Sequence, residues 1–455
     1  MSATQERNYR LVHGGGDQAQ IPHVLVVGGG YLGMCAAQRM QRKLGPGEAR
    51  ITVVDPNSYM TYQPFLPETA AGSISPRNVV VPLRKVLPRA DVRGGRVVRI
   101  RHAERIVEIE PTEGENYELG YDYLVMAAGA VSRTLPVPGL ADWGIGIKTV
   151  AEAAYLRNHV LNQLNIADST TDPEVRRKAL NFVFVGGGFA GAEAIGELED
   201  LARDATRLYP SIGMDDLKFY LVEAADRILP EVGPEVGDKA LKQLQLRGID
   251  VRLNTRLESA VDQHIVLSDG DAFDAGTLVW TAGVKPSPVV ADSDLPLGPK
   301  GHVDTTEYLT VAGVDRAFAG GDNAQVPDGN GGFYPPNAQN AVRQARVLAD
   351  NVIATLRGGE LTAYRHKNKG AVAGLGLHKG AAQLLDRIKL TGRPAWFVHR
   401  GYHLYAVPTL NRKLRVLANW TFSALFPRDF TSLPELTEPR QAFEEAARPE
   451  PSQAR

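Results

Sequence analysis

Cys35 is the one cysteine in 455 residues. A single thiol excludes a disulfide framework, a cysteine-rich zinc site and a CxxC redox pair within the chain. Also missing is any run of about 18 uncharged apolar residues, so no segment is expected to span a bilayer. Residues 1 to 20 are polar and Gly-rich without the apolar core of a secretory signal, which leads us to expect a cytoplasmic protein, or a peripheral one on the cytoplasmic side of a membrane. Neither charge dominates: the net charge is -1, and nothing in the whole-molecule balance calls for nucleic acid. No Walker loop and no Ser/His/Asp signature is found.

What the chain does have is length and glycine. Its size exceeds one ordinary core and predicts two or three domains, and 46 Gly with 29 Pro fit a globular, turn-rich fold. The apolar run His23 to Val27 enters the turn Gly28-Gly29-Gly30-Tyr31-Leu32-Gly33, and residues 31 to 44 suit a helix. The same unit recurs 158 residues on, where Asn181 to Val185 leads into Gly186-Gly187-Gly188-Phe189-Ala190-Gly191 and a helix to about Arg207. Further strands are expected at 51 to 55, 123 to 127, 219 to 223, 249 to 253 and 277 to 282. Most are apolar on both faces, as parallel strands covered by helices are.

A strand, a glycine turn and a helix N-terminus together make an anion cradle. The first glycine allows the tight turn, the second lets a pyrophosphate approach the backbone, and the third lets helix pack on strand. Asp55, 22 residues past Gly33, closes the next strand, where a carboxylate accepts bonds from ribose hydroxyls. Glu223 closes the strand after the second turn, beyond an expected insertion at about 203 to 216. An acid there favours NADH over NADPH, although Arg227 stands nearby. Asp322, after two glycines at a strand end, is either a partner for a ribityl hydroxyl or an ordinary helix N-cap. Cys35, after the first turn, is expected to be a packed apolar thiol.

Taken together, GGGYLG (28–33), YLVMAAG (123–129), GGGFAGAE (186–193), LVEAADRILP (221–230), LVWTAGVKP (278–286), FAGGDNA (318–324) and PPNAQNAVRQA (335–345) resemble the two-dinucleotide-binding-domain flavoproteins. Within them the chain resembles the type II NADH:quinone oxidoreductases over about residues 23 to 430. The resemblance implies an α/β chain of two Rossmann-like dinucleotide-binding domains in a glutathione-reductase-like FAD/NAD(P) fold, plus a C-terminal α+β membrane-facing region. It implies an FAD-binding domain at 21–150 and 310–363, an NADH-binding domain at 151–309 and a membrane or dimer region at 364–434. Tails at 1–20 and 435–455 are expected to be flexible. Gly28, Gly30, Gly33, Asp55, Gly129 and Asp322 would contact FAD, and Gly186, Gly188, Gly191, Glu223 and Gly283 would hold NADH.

By the same resemblance Glu193 lies near nicotinamide and flavin, shaping the hydride site or relaying protons, unless it is simply paired with a base. Gln339 would bond flavin oxygen or quinone. Three positions depart from the family pattern: Arg343 replaces a second glutamine, Phe189-Ala190 replaces Pro-Thr, and Ala128 replaces Thr before Gly129. The implied activity is hydride transfer from NADH to FAD and then electron transfer to a membrane quinone, as in a non-proton-pumping respiratory dehydrogenase. Relatives that work through a cysteine pair are excluded by the lone Cys35. The rival readings are a soluble reductase of a ferredoxin-type protein and a slow redox-sensing flavoprotein.

Charge is unevenly spread. Between Tyr364 and Phe430 twelve Lys or Arg face two acids, Asp386 and Asp429. Alternating strands are expected from about Leu361. Trp396, Phe397, Tyr402, Tyr405, Trp420, Phe422, Leu425 and Phe426 stand among the charges, a mixture that suits a peripheral membrane face or a homodimer interface with a basic rim. No nucleic-acid module accompanies it. His399 and His403, four residues apart, lack a third metal ligand and are expected to be interfacial.

Overall fold

The structure, a computed structural model, describes residues 21–367, 370–385, 387–433, 440 and 443–444. The tails expected to be flexible therefore lie outside the described residues, apart from 440, 443 and 444. The chain divides into two compact units. One comprises Met1–Thr61, Val80–Arg133 and Val284–Asn368, and the other Tyr62–Val79, Thr134–Gly283 and Lys369–Arg455.

The first unit is built on a seven-stranded sheet, ordered Ala317–Ala319, Tyr123–Met126, His23–Val27, Arg50–Asp55, Asp91–Arg101, Ile106–Pro111, Tyr117–Gly120. Its first five strands are parallel and its last two antiparallel. The central strand, HVLVV, is buried at every position, as a parallel strand with both faces covered must be. Helices Tyr31–Lys43 and Ala338–Arg357 pack together, and Arg39 clasps both carboxylate oxygens of Asp350 at 2.7 and 2.6 Å.

In the second unit four parallel strands run in the order Ile249–Arg252, Lys218–Val222, Asn181–Val185, Thr277–Trp280. The strand that feeds each glycine turn thus lies between the strand that follows the turn and one that comes much later in sequence. The repeat read from the sequence is a repeat of topology. A three-stranded antiparallel sheet, Leu257–Ser259, His264–Leu267 and Ala272–Asp274, joins Val183, Leu278 and Trp280 in one core. The expected insertion holds the end of helix Phe189–Ala205 and two short 3-10 turns.

The alternating-strand expectation holds only to Thr391. Strands Gly370–Gly374, Gly380–Leu384 and Ile388–Thr391 form an antiparallel sheet, and helices Arg393–Ala406 and Leu410–Leu425 follow. Their aromatics divide between two faces. Trp396 and Trp420 are buried, whereas Phe397, Tyr405, Phe422 and Leu425 are 62–80% exposed. His399 and His403 are buried as well, which corrects the interfacial reading: they share the inward stripe of their helix with Ala395 and Trp396.

Charge ties this C-terminal segment to its unit. The Arg247 guanidinium donates to Glu199, to Asp200 at 2.8 Å and to the carbonyls of Gly196 and Leu375, while Glu199 is 1% exposed. Removing one partner from such a cluster strands the opposite charge, which costs about 3–5 kcal/mol. Arg203 and Lys379 also reach these acids, so the lower end of that range applies. Arg247→Met is expected to destabilise the second unit by about 3 kcal/mol. Chemical denaturation followed by tryptophan fluorescence checks this, because Trp143, Trp280, Trp396 and Trp420 all lie in that unit.

Candidate functional site

Each glycine turn is shaped by contacts that no other residue permits. Gly28 and Gly186 have φ of +100° and +109°, in the left-handed region that favours glycine. A Cβ on Gly33 would lie 1.8 Å from the Gly28 carbonyl oxygen, and one on Gly191 the same distance from that of Gly186. Helix and turn therefore close on each other only without a side chain. Gly30 and Gly188 differ: a Cβ there would meet no protein atom within 4 Å. The space beside these two N-caps is open and faces the first amides of helices Tyr31–Lys43 and Phe189–Ala205. This is the shape a bound pyrophosphate requires.

The trailing acids answer the same way in both units. Asp55 accepts from the Gly29 amide at 2.7 Å and from Asn57 at 2.7 Å. Glu223 accepts from Gly187 at 2.5 Å and from Ala225 at 2.7 Å. Each carboxylate is thereby pinned beside its glycine turn at the strand end. Burial raises the Asp55 carboxyl above its ordinary value, against the two backbone bonds. The neighbouring Arg227 donates to the Pro230 carbonyl at 3.1 Å.

The remaining expected residues fall around these turns. Gly129 and Gly283 each follow the strand on the far side of the glycine turn, with φ of +66° and +92° and open space beside them. The Gly129 amide donates to Asn323 Oδ1 at 2.9 Å, and Asn323 lies next to Asp322 in the 3-10 turn Gly321–Asn323. Gln339 stands in the first turn of helix Ala338–Arg357 and accepts from Arg343 at 3.0 Å. Arg343, the departure from the family pattern, therefore holds Gln339 by its side-chain oxygen. Gly28, Gly30, Gly33, Asp55, Gly129, Asp322 and Gln339 belong to the first unit; Gly186, Gly188, Gly191, Glu193, Glu223 and Gly283 belong to the second. Cys35 is a partly covered thiol that burial pushes up to about 11, so it stays protonated.

Glu193 has partners that the sequence reading missed. Its carboxylate is buried, accepts from the Gly374 amide at 2.9 Å and lies 3.1 Å from His399 Nε2. Around it stand the buried Glu68, Glu197, His403 and Tyr62 and the half-buried Arg400 and Arg428 of the second unit. Glu68 accepts from Trp420 Nε1 at 2.6 Å and pairs with Arg400 at 3.1 Å, and the Arg400 guanidinium lies over the rings of Trp396 and Trp420. The signal available in the sequence was spacing: Glu193 and Glu197 recur at i, i+4 on one helix face, as His399 and His403 do on another.

Compared with known proteins, residues 22–345 match the family described as pyridine nucleotide-disulphide oxidoreductase. The chain is 29% identical over 381 residues to a type II NADH:quinone oxidoreductase of Staphylococcus aureus, spanning 83% of this chain and 93% of that protein. It is 28% identical over 420 residues to the type II NADH:quinone oxidoreductase Ndh of Mycobacterium tuberculosis, spanning 89% and 88%. The solved structure of NDH2 from Plasmodium falciparum in complex with NADH superposes with a TM-score of 0.83 at 17% identity, covering 90% of this chain and all of that one. That last likeness is one of fold. With the duplicated glycine cradle matched across most of the sequence, the chain belongs to the pyridine nucleotide-disulphide oxidoreductase family.

Proposed function

We propose that this chain is an FAD-dependent NADH:quinone oxidoreductase that works without pumping protons. The observation that carries the reading is the duplicated cradle: two glycine turns with open N-caps and pinned acids, in a chain whose single thiol cannot carry electrons as a disulfide. The type II NADH:quinone oxidoreductases to which it is similar along most of its length support the acceptor. The first unit, read in sequence as 21–150 with 310–363, is assigned FAD, and the second, with its core at 151–309, is assigned NADH.

Gly28, Gly30 and Gly33 with the following helix N-terminus would hold the FAD pyrophosphate, Asp55 its adenosine ribose and Asp322 its ribityl chain; Gly129 leaves room beside them. When bound, FAD supplies a two-electron carrier between hydride donor and quinone. The cradle of Gly186, Gly188 and Gly191 holds NADH by its pyrophosphate, with Glu223 on the ribose and Gly283 leaving room nearby. Because the free 2′-hydroxyl can donate to Glu223 and a 2′-phosphate would be repelled, NADH is the preferred substrate. Glu193 and Gln339 are assigned to the reacting groups, and the rest of catalysis is positioning and exclusion of water. The net reaction takes one hydride from NADH and one proton from the medium to turn quinone into quinol.

Among the described residues no helix is long and apolar enough to cross a membrane. We assign a peripheral membrane contact, on the cytoplasmic side, to the outward faces of helices Arg393–Ala406 and Leu410–Leu425. Exposed Phe397, Tyr405, Leu414, Phe422 and Leu425 lie there among Lys413 and Arg415. Exposed apolar and basic side chains on the same helices suit anionic lipid, and a homodimer is assigned to the same region.

Three outcomes are expected. Purified protein carries FAD and reduces a short-chain quinone with NADH; Glu223→Ser raises the ratio of NADPH to NADH kcat/KM about tenfold or more, and a wild type inert toward quinones defeats the reading. Gly30→Val folds like wild type but emerges from gel filtration without flavin absorbance, whereas Gly33→Val fails to fold stably; a yellow Gly30→Val protein removes FAD from this cradle. The double substitution Phe397→Ser with Phe422→Ser lowers binding to anionic vesicles ~10-fold or more, and unchanged co-sedimentation excludes this face as the membrane contact.

A further inference from the structure

Helix Ala338–Arg357 starts against the turn that carries Asp322. Gln344 Oε1 accepts from the Gly321 amide at 2.7 Å, and a Cβ on Gly321 would lie 3.6 Å from that of Ala341. Gln339 and Arg343, four residues apart, share another face of the same two turns. There Arg343 Nη1 donates to the Gln339 carbonyl at 3.2 Å and to Gln339 Oε1 at 3.0 Å. Arg343 is half-buried, and no ion pair among the described residues uses it. Its charge bears instead on the buried Tyr364, whose phenol burial raises to about 12 against the pull of that guanidinium.

The chemistry of this contact decides which end of the Gln339 amide faces a ligand. A guanidinium carries N–H donors and no acceptor, so it meets an amide only at the oxygen. With Oε1 turned to Arg343, the end of the amide that points away is the nitrogen, a donor. The glutamine that the family pattern puts at 343 both donates and accepts, and so tolerates either orientation of its neighbour. Arginine at that position tolerates one.

We propose that Arg343 fixes Gln339 as a hydrogen-bond donor, so that the acceptor site prefers the carbonyl oxygen of an oxidised quinone to the hydroxyl of the quinol it becomes. The inference rests on the proposed function, in which Gln339 meets the reacting groups. A quinone carbonyl takes the amide N–H directly. A quinol hydroxyl takes it only by turning its own proton aside, because Gln339 offers that proton no acceptor, and the positive charge behind the amide opposes the proton further. The same two side chains thus favour substrate and speed the departure of product. Arg343 acts through Gln339 and is a positioning residue.

The test uses the full-length holoenzyme without NADH and without oxygen, and two probes, tetramethyl-1,4-benzoquinone and its quinol, whose binding is followed by the change in flavin absorbance. Wild type is expected to bind the quinone about fivefold or more tightly than the quinol. Arg343→Gln lets Gln339 turn over and should bring the two affinities within about twofold of each other. Arg343→Lys, again a donor without an acceptor, should keep the wild-type ratio, which a merely space-filling role for arginine would not require. Gln339→Glu keeps the contact with Arg343 but presents only acceptor oxygens, and should reverse the preference toward the quinol. A wild type that binds both forms equally, an Arg343→Gln protein with the wild-type ratio, or a Gln339→Glu protein that still prefers the quinone overturns the donor lock and leaves the proposed function standing. The wild-type ratio decides even where a variant fails to fold. A wild type that reduces no quinone with NADH overturns the function itself, and that outcome is visible without any variant.

Discussion

The two cradles depend on a contact too close for any side chain. A β-carbon at Gly33 or Gly191 would sit 1.8 Å from the carbonyl oxygen of the glycine that opens the same turn. Because that space is empty, the helix begins directly at the strand end and its first amides face outward beside Gly30 or Gly188. The same geometry brings the next strand alongside, so that Asp55 or Glu223 ends within hydrogen-bonding distance of Gly29 or Gly187. One steric constraint thus fixes the open helix N-terminus and the trailing carboxylate together. It does so twice, with the strands in the same relative order, so each unit carries the same turn, open N-cap and pinned acid.

The second unit adds what a nucleotide fold alone lacks, a buried set of ionised groups. Arg247 neutralises Glu199 and Asp200 on one side of helix Phe189–Ala205, and Arg400, Arg428 and His399 oppose Glu68, Glu197 and Glu193. These clusters are weak contributors to net stability, because desolvation offsets most of the attraction. What they impose is specificity of assembly: with any one member displaced, its partners are left charged in an apolar surround. The energetics favour a single arrangement of the C-terminal helices over looser packings of their apolar stripes.

Much of the fold could be read from residues alone, and the failures share a cause. The strands that feed the glycine turns match at both ends, because a short apolar run bounded by glycine is unambiguous. The passage of residues 62–79 into the second unit was illegible: its 3-10 turns and five-residue helix are too short to show periodicity. The Glu193 cluster was hidden for another reason. Glu68, Glu193, His399 and Arg428 come from four separate stretches, and each charge read alone suggests a solvated surface. His399 and His403 read as interfacial for want of a third metal ligand, and nothing in the sequence sets Trp396 apart from the adjacent Phe397. Only the helix phase puts Trp396 inward with the histidines and Phe397 outward, 66% exposed.

That division of faces bears on how the C-terminal region can be separated from the rest. Its outward residues, Phe397, Tyr405, Phe422 and Leu425, are 62–80% exposed and touch little beyond Trp396 at the edge of Phe397, Phe426 beside Phe422 and Lys413 over the Tyr405 ring, so replacing them alters mainly the surface. Its inward residues carry Arg400, His399 and Trp420, and Arg428 follows. Truncating the chain near residue 385 would therefore take away both guanidiniums and the imidazole, leaving Glu68, Glu193 and Glu197 buried without a counter-charge or open to water. Loss of quinone reduction in such a truncation would report a disordered charge cluster as readily as a lost membrane contact. The helices present exposed apolar side chains on one side and part of the second unit's ionic core on the other, and only substitutions confined to one face separate the two.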